Sequence, residues 1–236
     1  MPTRPPSTLI DPELAKAQVR EVLDLAIPLL REVLNHGLAL FARCSYRPEG
    51  EDENLVILLV YRHLLEMLDG VIILIAESAP APAALQLRAM FEALLTIEFL
   101  TQDKRKTRPR ALVYLYQVEI HRKRFYLSQD PTSAEGKAFQ SFLATDPYSK
   151  DWKPSNSAEI AGRVKEIYAM LERQEFREIA AEHRRTRKRV RGSPAWYSFN
   201  GGPRNIAELA KSLGRGASYT LLYREWSERT HSPLCL

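Results

Sequence analysis

Residues 52–78 are apolar nearly all the way round a helix, and their charged members Arg62, His63, Glu66, Asp69 and Glu77 fall on one narrow stripe when wound at helical pitch. A helix of this kind must bury most of its circumference, so the chain is expected to build a bundle around it. The stripe should then face a polar seam or another polar helix. The segment Leu55–Ala76 is also long enough to span a bilayer. Its internal Arg62 and Asp69 would each cost roughly 2.5–3.5 kcal/mol at mid-membrane, so a buried helix is expected and no membrane partner.

The rest of the chain repeats the helical period. Asp11, Pro12 and Glu13 form a helix start, and the apolar spacing from Leu14 to Leu34 carries a first helix to about Cys44, with Pro28 expected to kink it. Residues 47–50 read as a turn. Ser78 to Pro82 breaks the chain before a third helix near 83–102. The basic stretch Lys104–Arg110, with Pro109, reads as a turn before a fourth helix over 110–128, which ends in the patch His121–Arg124. Residues 129–157 are rich in Pro, Ser, Thr and Asp and are expected to be loop around one short helix near 133–144. A capping box at Asn156–Glu159 opens one long charged helix that runs into Arg184–Arg191. Two short helices, about 203–213 and 216–231, finish the chain. No segment alternates like a strand and none repeats. The expected class is all-α, a multi-helix bundle of about six to eight helices without significant sheet. The expected organisation is a disordered 1–10, a core bundle over 11–128, a loop-rich 129–157, and a 158–236 segment whose helices close the same bundle.

Charge is local. Of a net charge of +5, six positive charges lie in Arg184, Arg185, Arg187, Lys188, Arg189 and Arg191, which leaves the remainder one unit negative. Such a run can grip nucleic-acid phosphates, or it can simply complement the C-terminal dipole of its helix. Cys44 and Cys235 sit near opposite ends with no CxxC spacing. That excludes a disulfide framework and a structural zinc site, and fits a cytoplasmic location. No glycine-rich phosphate loop, Gly-x-Ser-x-Gly elbow or His-Glu-x-x-His motif is present, and no cofactor is expected.

The terminal helix concentrates the remaining chemistry. Tyr219, Tyr223, Trp226 and Thr230 share its apolar face, while Arg224, Ser227 and His231 flank that face, where a perturbed histidine can act. Arg224 and His231 have the spacing of HEPN-type ribonucleases. In that chemistry the His moves a proton and the Arg holds phosphate. Arg31–His36 and Arg177–His183 fit the same loose spacing, and Glu225 would repel phosphate. Glu228 and His231 have the Glu-x-x-His spacing of di-iron bundles, to which Glu66 and Glu92 could add ligands. A second copy of that motif is lacking, so no metal is expected. Arg88 and Glu92, four apart, suit an ion pair inside the bundle, and Arg62, Glu66, Arg88, Glu92 and Tyr223 are expected to line its polar centre.

The segments Arg62–Asp69, Leu87–Leu94, Trp196-Tyr197 followed by Ile206–Ala210, and Tyr223-x3-Ser227-x3-His231 together resemble an uncharacterised, mostly bacterial helical family of the DUF5677 type. The resemblance covers roughly residues 50–233 and implies the fold, but it carries no activity. It also implies a chain that runs well past the histidine, whereas Leu236 lies five residues beyond it, which leaves both a natural end and a truncated or frame-shifted one open. The function expected from all this is a soluble binding or regulatory module that associates with nucleic acid through its basic run. The alternative is a metal-independent endoribonuclease using Arg224 and His231.

Overall fold

Helix α1 (Pro12–Ser45) carries Glu13 in its first turn and Arg43 in its last, charges that suit the helix dipole at each end. It runs through Pro28, which is exposed, so the Asp24 carbonyl that loses its partner lies on the solvent side. The structure, a computed structural model, describes residues 12–45, 52–149, 152, 157–190, 193–223 and 225. The turn expected at 47–50, the Asp11 cap and the Asn156 cap lie outside those residues. Among the described residues every regular element is helical and none is a strand, as the all-α reading expects.

Two compact units make up the chain: Met1–Lys104 with Ile206–Leu236, and Arg105–Asn205. These boundaries cut the chain elsewhere than at 128 and 158.

In the first unit, α2 (Asp52–Ala76) packs on α1 and on α3 (Pro80–Thr101). Gly37 is what lets α1 approach. A Cβ there would stand 2.5 Å from Leu65 Cδ2, and the Tyr61 hydroxyl donates to the Gly37 carbonyl at 3.3 Å. Val56, Val60, Leu65, Leu68, Val71 and Ile72 are buried. The stripe of Arg62, His63, Glu66, Asp69 and Glu77 is exposed, together with Leu55, Leu59 and Ile73. This corrects the expectation that α2 lies in the middle of the bundle with its stripe on an internal seam. Its packed neighbours α1 and α3 leave a third side to solvent.

The break between α2 and α3 also departs from expectation. Pro80 and Pro82 are already helical, within the first turn of α3, where a missing N–H costs nothing. Ser78 makes the turn, at φ 55°, with Ala79 N–H donating to the Leu74 carbonyl (2.8 Å) and Ser78 N–H to Ile75 (2.9 Å). This is a Schellman termination with serine where glycine is usual. Gly214, at φ 73°, ends α8 (Ile206–Ser212) in the same way. Helix α8 buries Leu209 and Ala210 completely and packs on α3. A three-residue α9 (Gly216–Ser218) then passes into a π-helical turn over Tyr219–Tyr223.

The second unit is built on α4 (Lys104–Gln129), whose first turns contain the basic segment and Pro109 that were expected to form a turn. So early in the helix, the proline removes a single ladder bond. Helix α5 (Ala134–Thr145) is capped by Ser133, whose Oγ accepts from Gly136 N–H at 2.8 Å. The long charged helix is two helices, α6 (Ser157–Leu171) and α7 (Gln174–Val190), broken at Glu172–Arg173. No glycine or proline marks that break. Arg177 Nε donates to the Glu172 carbonyl at 3.1 Å, and the wholly buried Phe176 fixes where α7 begins. Leu112, Val113, Tyr116, Phe176 and Phe199 form the core, the last from a 3₁₀ turn over Trp196–Gly201.

Candidate functional site

Each unit presents one cluster of chemistry-bearing residues. In the first, Arg88 and Glu92 stand one turn apart on α3, and Tyr223 reaches them from the π-helical turn. The Tyr223 hydroxyl donates to Glu92 Oε1 at 2.7 Å and accepts from Arg88 Nε at 3.2 Å. Arg88 Nε also lies 3.4 Å from Glu92 Oε1, and its guanidinium sits 5.0 Å from the centre of the Tyr223 ring. Phe91 and Tyr219 flank that ring at 5.9 Å and 5.0 Å. Burial first, and then the Glu92 carboxylate, push the Tyr223 phenol up to about 12, against the opposing pull of Arg88. Tyr223 is therefore a neutral donor that ties the terminal turn to α3. Arg224, Ser227 and His231, and with them Trp226, Glu228 and Thr230, lie outside the described residues.

Arg62 and Glu66 do not join this cluster. They pair with each other at 2.8 Å on the exposed side of α2, and line an open groove of about 250 Å³ with Leu34, Leu38, Phe41, Leu65 and Asp69. The expected common polar centre is thus two separate pairs. Arg62–Glu66 looks onto the α1–α2 groove, whereas Arg88–Glu92 is held by Tyr223.

In the second unit the basic run divides by role. Arg185 pairs with Glu182 at 2.8 Å, and Glu182 also accepts from the buried Thr186 hydroxyl (3.0 Å) and from Asn200 N–H (3.1 Å). Arg189 donates to the carbonyls of Ser198 and, at 3.2 Å, of Gly202. Arg189 and Glu182 thus tie α7 to the 3₁₀ turn, whereas Arg185 is exposed and paired within α7. Arg184, Arg187 and Lys188 are exposed and have no acidic partner among the described residues, and Arg191 lies outside them. At 100° per residue the three share one side of α7.

His183 shows that a fourth cation belongs with them. Its ring stacks on Phe199 at 5.7 Å and tilts against Tyr116 at 5.8 Å, and its Nε2 is buried without a hydrogen bond. Burial first, and then the charges of Arg124, Arg187 and Arg184, hold the imidazole below its usual pKa. Arg124 on α4 therefore lies in the same positive field. The neutral ring is the folded form, so its contribution to stability is intact above pH 6.5 and is lost as pH falls through the depressed value. Urea unfolding of the wild type and of His183→Phe should diverge below pH 6.5 and run parallel above it. Curves parallel at every pH would contradict this placement.

The sequence marked His121–Arg124 and His183 without joining them to α7. The one local signal was Glu182, three residues before Arg185, an acid positioned to consume one of the six charges. Among the described residues no group of three or more His, Cys, Asp or Glu side chains is placed to hold a metal ion.

An all-helical chain with a tyrosine-closed Arg–Glu pair in one unit and a basic, aromatic-backed helix face in the other is the class that these features define. A model of a family of unknown function, DUF5677, matches residues 54–234, and the chain belongs to that family. No curated protein and no solved structure matches it.

Proposed function

We propose that the chain is a nucleic-acid-binding module that holds the phosphate backbone against α7 with Arg184, Arg187 and Lys188, joined by Arg124. One observation carries this reading. Two of the basic residues of α7 are engaged, Arg185 by Glu182 on the same helix and Arg189 by backbone carbonyls of the 3₁₀ turn, while three on one face, and Arg124 beside them, have no anionic partner among the described residues. Arg187 and Lys188 stand in the last turn, where they also suit the helix dipole, but Arg184 lies a turn earlier and Arg124 is on α4, so the dipole does not account for the whole field.

Four phosphate contacts predict that log K falls against log salt with a slope of about −3. Alanine at Arg184, Arg187 and Lys188 together should flatten the slope by about 2–3. Measured on a fluorescent single-stranded RNA and on a DNA duplex, a slope unchanged in the triple variant would refute the reading. A second readout is independent of affinity. Phosphate beside these arginines offsets their positive potential, so the His183 imidazole, followed by NMR, should titrate at higher pH when nucleic acid is bound. Cleavage of the RNA in EDTA, lost in His231→Ala, would replace simple binding with a metal-independent endoribonuclease acting through Arg224 and His231.

A further inference from the structure

Helix α1 has more apolar surface than α2 covers, and it precedes the family-matched segment. Leu23, Ala26, Ile27, Leu30, Leu34 and Phe41 are the half-buried positions, with Gly37 buried. A second stripe stays open: Val22, Leu25, Leu29, Val33 and Leu40 are 66%, 76%, 59%, 52% and 43% exposed. Its steps of three, four, four and seven residues are those of a helix that packs on another helix, over about 27 Å of axis.

We propose that this stripe is a homodimer interface, closed by α1 of a second copy running antiparallel. The spacing suits reversal. A two-fold axis beside residue 31 sets Val22 against Leu40 and Leu29 against Val33, and Leu25 then falls level with Gly37, one residue from His36. Charge on the rim agrees. Glu21, Glu32 and Arg43 line the edge of the stripe away from α2, all exposed and none with a partner among the described residues. The same reversal sets Glu21 of each copy beside Arg43 of the other, forming two equivalent pairs. It also brings the two Glu32 side chains together near the axis, where they repel. The segment Arg20–Ser45 is long and apolar enough to cross a membrane by length and composition. However, one of its sides is packed on α2, and a rim with two acids to one base repels an anionic lipid surface.

Sedimentation velocity of the full chain over a concentration series tests this. Expected is a monomer–dimer equilibrium that Leu25→Glu with Leu29→Glu weakens by at least about thirtyfold, with helical circular dichroism unchanged. Glu21→Arg and Arg43→Glu should each weaken it about two- to tenfold, and the two together should restore it. Glu32→Gln should tighten it, a gain that misfolding cannot imitate. A monomer at every concentration, a dimer indifferent to Leu25→Glu/Leu29→Glu, or a double charge reversal no better than either single one would overturn the proposal. So would flotation of a monomeric wild type with phosphatidylcholine–phosphatidylglycerol vesicles, abolished by the same two substitutions.

Discussion

Phe176→Ala should lower the unfolding free energy by about 3–5 kcal/mol, the largest loss expected from a single side chain in the second unit. Phe176 is wholly buried, with the Tyr116 ring at 6.1 Å and the Arg173 guanidinium at 5.4 Å. Met170, Leu171, Ile179 and Trp196 pack around the same cluster, so truncation leaves a cavity held open from several elements. The effect should extend to the basic face. Phe176 seats the start of α7 against α4, and without it Arg184, Arg187 and Lys188 lose their fixed relation to Arg124. Urea unfolding of Phe176→Ala beside Phe125→Ala measures the first effect, because Phe125 is 62% exposed and should cost less than about 0.5 kcal/mol. A loss below about 1 kcal/mol at Phe176 would refute the packing assignment. The salt slope of nucleic-acid binding should flatten in Phe176→Ala and stay unchanged in Phe125→Ala.

Alkaline pH should release the terminal turn, and Tyr223→Phe should abolish that sensitivity. The phenol is raised from 10.0 to about 12 in the folded chain, chiefly by burial and then by Glu92. A raised folded value favours the protonated form. The contribution is therefore intact below pH 10 and is lost as pH rises from 10 to about 12. Its size is on the order of 2–3 kcal/mol, and Tyr223 is only 6% exposed, so solvent screening is slight. The quantity to measure is the difference in unfolding free energy between wild type and Tyr223→Phe at pH 9 and near pH 12. It should shrink across that interval, and a difference constant with pH would contradict the assignment. Glu92→Ala should cost about 1–3 kcal/mol at neutral pH, because it leaves the Tyr223 hydroxyl and Arg88 without their shared acceptor.

What could be read from residues alone follows how local the cause was. The Arg88–Glu92 pair, the burial of Tyr223, the short helix after Ser133 and the extent of α2 rest on spacing within one or two turns, and all were legible. The division of α6 from α7 was not. Its cause is Phe176 meeting Leu112 and Tyr116, some sixty residues earlier, with Arg177 capping Glu172. Ser78 in a left-handed turn was hidden because the adjacent prolines supplied a more familiar stop signal. The exposed stripe of α2 was misread because a helix apolar on most sides was assumed to have neighbours on all of them. In the basic run the pairing of Arg185 with Glu182 follows from spacing, but the capture of Arg189 by Ser198 and Gly202 depended on a turn that spacing alone does not bring to α7.

The first unit is discontinuous in the chain, and this sets an order of events during synthesis. Helices α1 to α3 emerge first, but α8, with its completely buried Leu209, and Tyr223 follow only after residues 105–205 have been made. At 5–20 residues per second that delay is about 5–20 s. Through it the α3 surface that receives Leu209, and the Arg88–Glu92 pair awaiting its tyrosine, stay uncovered on the ribosome. Meanwhile the second unit, contiguous in sequence, has all of its own partners and can fold first. A released chain ending between 205 and 223 would therefore carry a finished basic face on an unfinished bundle.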